Sequence, residues 1–215
     1  MGVSPAVADM LLPQVGTRLM RDYPHVSVES RLLTASEILD LLRAQEIDLG
    51  IAYARSLRLE ETLQVEHLYH DEASWLVRRG HPILKKRRGS LMDFSRYPLV
   101  MQHLPLLYRE WLKSIELAVA AATPGATVHL AHMCSDYDLL YRMTLDSDAI
   151  LAIPAKTAVN SVYAKKLQKV DMPMGPPPVE FATAHLRVPR PSPLALKFMA
   201  YMQEEVAALA REDHP

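Results

Sequence analysis

The chain reads as an α/β protein built on mostly parallel sheets. Helical and strand-like segments alternate along its whole length, and the series runs twice, once before residue 70 and again between residues 98 and 154. The 215 residues are 49% hydrophobic and 23% charged, the balance of a well-packed globular chain. Helix, strand, helix, strand is the pattern of the βαβ unit, which places helices on both faces of a parallel sheet.

Residues 5–22 carry Val7, Leu11, Val15 and Leu19 at i+4 spacing with Met10 beside them, which predicts a helix. Ser4 suits its N-cap and Pro5 its first turn. Tyr23-Pro24 stops it. Val26, Val28, Ser30 and Leu32 alternate with polar neighbours, so 26–33 reads as a strand. Thr34-Ala35-Ser36-Glu37 opens a second helix carrying Ile38, Leu39, Leu41 and Leu42. Asp48 to Ala52 is a short strand, apolar enough to be buried on both faces.

Residues 63–70 and 74–78 read as strands, and Gly80-His81-Pro82 as a turn. Pro98 to Met101 is strand-like. Leu106 to Ala122 is a long helix with Trp111, Leu112, Ile115 and Val119, closed by Thr123-Pro124-Gly125. A strand over 126–133, a helix over 135–145 and a buried strand over Ala149 to Ile153 follow. Gly175-Pro176-Pro177-Pro178 is the clearest linker. Val179 to Val188 is again a strand. Ser192-Pro193 repeats the start signal of Ser4-Pro5 and opens a terminal helix with Leu194, Phe198, Met199, Met202, Val206 and Leu209 on one face.

Lys and Arg number 24 against 25 Asp and Glu, a formal net charge of -1. A domain that grips nucleic acid carries a basic excess to displace counterions, so this chain is not expected to hold DNA by itself. The basic run Lys85-Lys86-Arg87-Arg88 reads as a solvated loop or helix start. No apolar run reaches the roughly 18 residues of a membrane span. The single Cys134 excludes an intrachain disulfide, and Met1-Gly2-Val3-Ser4-Pro5 is no signal peptide, so a cytoplasmic location is expected.

Ordered blocks of the sequence resemble a known family. "SPAVADMLLPQVGTRLMRDYPHVSVE" followed by "TASEILDLLRAQEIDLGIA" resembles the start of the effector-binding domain of LysR-type transcriptional regulators. "EASWLVRRGHPI" is similar to that family's crossover strand and Gly-His-Pro turn. "YPLVM" resembles the opening of its second lobe, "AILAIP" a strand ending in proline, and "SPLALKFMAYMQEEV" the C-terminal helix. Three departures stand out. The DNA-binding helix-turn-helix that precedes this domain in the family is absent, so the chain reads as an excised fragment. Ser147-Asp148-Ala149 stands where the family often has Gly-x-Gly, and Leu33 where a glycine often precedes an effector-contacting Ser or Thr.

The resemblance implies a type-2 periplasmic-binding-protein-like fold: two Rossmann-like lobes joined by two crossover strands, with residues 1–71 plus 175–215 as lobe I and 72–174 as lobe II. It implies a regulatory domain that senses a small molecule, possibly a carboxylate, in the interlobe cleft. It also implies a homodimer of this domain, a homotetramer at full length, and contact with DNA only through the missing N-terminal domain. A solute-binding protein of a transporter is the alternative on the same fold.

The candidate binding residues lie at strand-to-helix turns. Free backbone N–H groups and the helix dipole favour anions there, and ligands sit beyond the carboxyl ends of strands in open α/β sheets. Ser4, Pro5 and Ala6 form one such turn, and Thr34, Ala35 and Ser36 another. Cys134, Ser135 and Asp136 form a third. In each the competing role is simple N-capping. The resemblance favours Thr34, which falls where the family commonly places an effector-contacting Ser or Thr. Gln102 and His103 follow an apolar strand, and Tyr53 follows Ala52; each is a candidate contact, with loop or core packing as the alternative.

No catalytic residue, metal or cofactor is expected. His129 and His132 fall on opposite faces of a strand and so cannot share one ion with Cys134; the same objection is raised to His67-x-x-His70. Gly2-Val3-Ser4-Pro5-Ala6 echoes a nucleophile elbow, but such a fold needs several strands before the serine.

Overall fold

The computed structural model describes residues 1–103 and 106–212. The chain divides into two compact units, Met1–Asp71 with Glu180–Pro215, and Glu72–Val179. Each is built on a five-stranded sheet.

Unit 1 contains β1 (Gly2–Val3), α1 (Pro5–Asp22), β2 (Arg31–Leu32), α2 (Ala35–Arg43), β3 (Gly50–Tyr53), α3 (Ala54–Leu57) and β4 (Leu63–Asp71), and later β10 (Val179–Leu186) and α8 (Pro193–Glu212). Its strand order is β2-β1-β3-β10-β4. β1 runs parallel to both β2 and β3, in the registers Val3 to Leu32 and Val3 to Ile51. β10 runs antiparallel to β3, with Thr183 opposite Ile51 and Phe181 opposite Tyr53. The sheet is therefore mixed rather than mostly parallel. Short βαβ crossovers make the parallel part; β10 arrives from the other unit and is free of that constraint.

One face of this sheet packs on α2. Ile38 and Leu42 are fully buried there against Ala52, Ala182 and Ala184. The approach is close enough that Gly50 is required: a Cβ on it would stand 2.4 Å from Ile38 Cγ2. α1 lies against α8, and α8 against β4. The expected strand over 26–33 shrinks to Arg31–Leu32. Val26 and Val28 alternate as a strand should but are 37% and 40% exposed, so the described residues leave that apolar face only partly covered.

Unit 2 contains β5 (Ala73–Arg78), α4 (Asp93–Arg96), β6 (Leu99–Gln102), α5 (Leu106–Ala122), β7 (Leu130–Cys134), α6 (Tyr137–Leu145), β8 (Ile150–Pro154), α7 (Ala155–Asn160) and β9 (Leu167–Lys169). The order is β7-β6-β8-β5-β9. β6 is parallel to β7 and β8, while β5 is antiparallel to β8 and β9. Leu99, Val100, Met101, Ile150 and Leu151 are buried at its centre, as a strand covered on both faces requires. The strand expected over 126–133 begins only at Leu130.

The Gly-His-Pro turn has a mechanical basis. Gly80 takes φ +77°, a left-handed conformation that favours glycine. The imidazole of His81 is buried; its Nδ1 accepts from the Ile83 amide at 3.0 Å, which leaves Nε2 to donate to the Asp148 carbonyl at 3.1 Å. Arg78 donates to the Asp148 carboxylate at 2.6 Å and to the Ser147 carbonyl at 3.0 Å. Asp148, at the position that departs from Gly-x-Gly, thereby ties two loops of unit 2 together.

Candidate functional site

In unit 1 the turns after β1 and β2 and the end of β3 all lie at the carboxyl edge of the parallel strands, where open α/β sheets present ligand sites. Ser4, Pro5 and Ala6 follow β1, Thr34, Ala35 and Ser36 follow β2, and Tyr53 ends β3.

The two hydroxyls there differ in what they already do. Ser4 is 5% exposed and takes the N-cap position of α1, yet its side chain makes no cap hydrogen bond. Its carbonyl accepts from the Val7 and Ala8 amides, and its own amide donates to the Ile51 carbonyl at 2.8 Å. Its Oγ has no hydrogen-bond partner among the described residues. A buried hydroxyl left so is unusual and costs stability. No acidic residue occupies the first turn of α1.

Thr34, by contrast, is committed. It forms a full capping box with Glu37: the Glu37 amide donates to Thr34 Oγ1 at 3.4 Å, and the Thr34 amide donates to the Glu37 carboxylate at 2.7 Å. Thr34 Oγ1 also donates to that carboxylate at 2.7 Å and lies 3.1 Å from Ser36 Oγ. The positive end of α2 is thus already neutralised by Glu37. Of the two helix starts at this edge, α1 is the one with no acid in its first turn.

Tyr53 belongs to a stack that the sequence does not announce. Its ring lies 4.9 Å from Phe181 on β10, and Phe181 lies 4.9 Å from Tyr69 on β4, both pairs close to parallel. Burial first, then the nearby Asp71 and Tyr53, hold the Tyr69 phenol well above its usual range. Asp71 is itself buried. Thr183, on β10, keeps a buried Oγ1 without a hydrogen-bond partner among the described residues. One signal points to Thr183: a single hydroxyl in the apolar run Phe181-Ala182-Thr183-Ala184.

In unit 2 the corresponding carboxyl edge carries Gln102 at the end of β6 with His103 after it, and Cys134 at the end of β7 with Ser135 and Asp136 after it. Gln102 pairs in register with Cys134, and the His103 amide donates to the Cys134 carbonyl at 3.2 Å, so the two turns are adjacent. Gln102 is buried and accepts from the Tyr137 hydroxyl through Oε1, so Tyr137 is a further residue of this edge. His103 is exposed. Asp136 caps α6 by accepting from the Leu139 amide at 3.0 Å. Cys134 Sγ lies 3.5 Å from the Asp136 carbonyl.

A surface cavity of unit 1 lies at the other end of its strands. Glu29, Arg31, Asp48, Ser192 and Phe198 line it, and none of the expected residues does. Arg31 there is already held by Glu29 at 2.7 Å.

One expectation fails outright. His67 and His70 were assigned to opposite faces of a strand, but their rings lie 4.7 Å apart. The reason is in β4. Glu66 and His67 are both exposed and Leu68 and Tyr69 both buried, so the two-residue alternation slips and His70 returns to the side of His67.

The description "LysR substrate binding domain" fits residues 1–207. The SDS degradation transcriptional activation protein of Pseudomonas sp. (strain ATCC 19151) is 24% identical over 177 residues, 81% of this chain and 55% of that protein. The chain thus spans about half the length of that relative. The regulatory domain of MexT, a transcriptional activator in Pseudomonas aeruginosa, superposes with a TM-score of 0.72 at 18% identity, covering 94% of this chain and 96% of that one. The Synechocystis PCC6803 CcmR regulatory domain, solved in complex with 2-PG, superposes with a TM-score of 0.72 at 15% identity, covering 94% and 93%. At such identities the two structures establish the shared fold, the type-2 periplasmic-binding-protein-like one. The match over nearly the whole length places this chain in the family of LysR substrate-binding domains.

Proposed function

We propose that this chain is the effector-sensing domain of a LysR-type transcription regulator and that it binds a small anionic metabolite without converting it. The observation that carries the proposal is Ser4. Its buried hydroxyl lacks a hydrogen-bond partner among the described residues, at the N-terminus of an 18-residue helix with no acid in its first turn. A carboxylate or phosphate oxygen satisfies both the hydroxyl and the helix dipole. The relative bound to 2-PG is consistent with such a ligand class.

The contacts assigned in unit 1 are Ser4, Pro5 and Ala6, with Tyr53 packing alongside and Thr34, Ala35 and Ser36 forming the neighbouring rim. Those assigned in unit 2 are Gln102, His103, Cys134, Ser135 and Asp136. The ligand acts by preferring one of two arrangements of the regulator, and its leverage equals its difference in affinity between them. Pairing of this domain, assembly into tetramers, a cytoplasmic location and DNA contact through a separate N-terminal domain complete the reading. The curated relatives are regulators rather than enzymes, which agrees with a binding role.

The test is a thermal-shift panel of small carboxylates and phosphate esters, followed by calorimetry on hits. Anything that binds the native state stabilises it by mass action. Stabilisation by an anion, weakened in Ser4→Ala, is the expected result. A panel in which no anion binds, or in which Ser4→Ala binds unchanged, overturns the proposal.

A further inference from the structure

β4 and β10 are neighbours in the sheet of unit 1, and both end at its boundary, β4 at Asp71 and β10 with Glu180 as the unit's first residue. Three side chains with metal-binding atoms meet across these strands: His67, His70 and Glu180, whose ligand atoms all lie within 4.8 Å of one another. His67 Nδ1 and Glu180 Oε1 are 2.9 Å apart. We propose that His67, His70 and Glu180 form a binding site for a divalent transition-metal ion of the zinc class, linking β4 to β10.

The donor set is chemically suited. Two imidazoles and one carboxylate, with a fourth position left to water, are ligands that zinc takes readily; copper and nickel take imidazole as well. Bonds of about 2.0–2.2 Å in a tetrahedron put donor atoms about 3.3–3.6 Å apart. The present separations close to that by rotations of side chains of which both histidines are exposed. Glu180 is also pre-oriented. Arg58 donates to Oε2 at 2.6 Å and to Oε1 at 2.5 Å. An ion takes over Oε1, where His67 now sits, while Arg58 keeps Oε2 and fixes the plane of the carboxylate, as outer partners do at metal sites. The slip in β4 that brings His67 and His70 together thereby acquires a use.

The experiment titrates zinc chloride into the full chain, free of any affinity tag, by calorimetry, with cobalt(II) absorption as a second readout. The expected result is one saturable equivalent, a visible cobalt band of tetrahedral intensity, and a zinc-dependent rise in melting temperature. His67→Ala and His70→Ala should each weaken binding about tenfold or more, while His129→Ala, on the other unit, should not. Because both histidines are exposed, circular dichroism of the metal-free variants should match wild type; His70→Asn keeps the shape if the alanine variant does not. Absence of saturable binding overturns the proposal, as does binding or stabilisation that survives loss of both histidines. Neither result bears on the anion expected at Ser4, because the two sites share no residue.

Discussion

Glu37 takes both the amide and the hydroxyl of Thr34 on one carboxylate oxygen, each at 2.7 Å. The hydroxyl that resembles an effector contact is therefore first a helix cap. Thr34→Ala should lower stability by about 1 kcal/mol, the usual value of a lost N-cap. The drop should appear as a lower urea midpoint at unchanged slope.

Ser4→Ala should behave in the opposite way. The hydroxyl has no hydrogen-bond partner among the described residues to lose, so the variant should match or slightly exceed wild-type stability. Affinity for an anionic effector should fall about tenfold or more, the value of one hydrogen bond to a charged group. Calorimetry and melting on the same two variants separate a cap from a contact.

Gly50→Ala should be costly although it adds a single methyl group. Its Cβ would enter the space of Ile38 and Leu42, both fully buried. Overpacking of this kind costs about 1–3 kcal/mol. Shortening Ile38 to Ala in the same chain, which removes the clashing Cγ2 methyl, should make Gly50→Ala cost less than it does in the wild-type chain, and denaturation of the single and double variants checks it.

Stability should also depend on pH through Glu180. Hydrogen bonds from Arg58, and then from His67, hold its pKa at about 2 against an ordinary 4.5. A carboxylate depressed in the folded state stabilises it fully above the unfolded value. That contribution disappears as pH falls from about 4.5 through about 2. Solvent screens the pair, because the Arg58 side chain is half exposed. The expected outcome is a modest loss over that acid window in urea titrations, reduced in Glu180→Gln.

Helix starts were the most legible feature of the sequence. Ser4-Pro5 and Ser192-Pro193 each open a helix at the expected residue, and Ser192 Oγ accepts from the Ala195 amide at 3.1 Å. Long periodic helices and short apolar strands also emerged, because each signal is local. Two kinds of information were not local. Whether a strand runs parallel or antiparallel depends on where the chain has travelled in between, so β5 and β10 could not be oriented from their own residues. Whether an alternating segment is covered depends on what lies above it, so Val26 and Val28 passed for strand. The site was legible to the same degree. The turns followed from strand-to-helix order, but not that Ser4 is idle while Thr34 is occupied, nor that Tyr69 and Phe181 continue the stack from Tyr53.

The placement of β10 between β3 and β4 bears on biogenesis. β4 joins its sheet only through β10, which the ribosome delivers more than a hundred residues later. Residues 72–179 are continuous and can collapse as soon as they emerge, whereas the first unit must wait with an open sheet edge until its closing strand is made. During that interval residues 1–71 present an unpaired strand edge, a template for pairing with other chains.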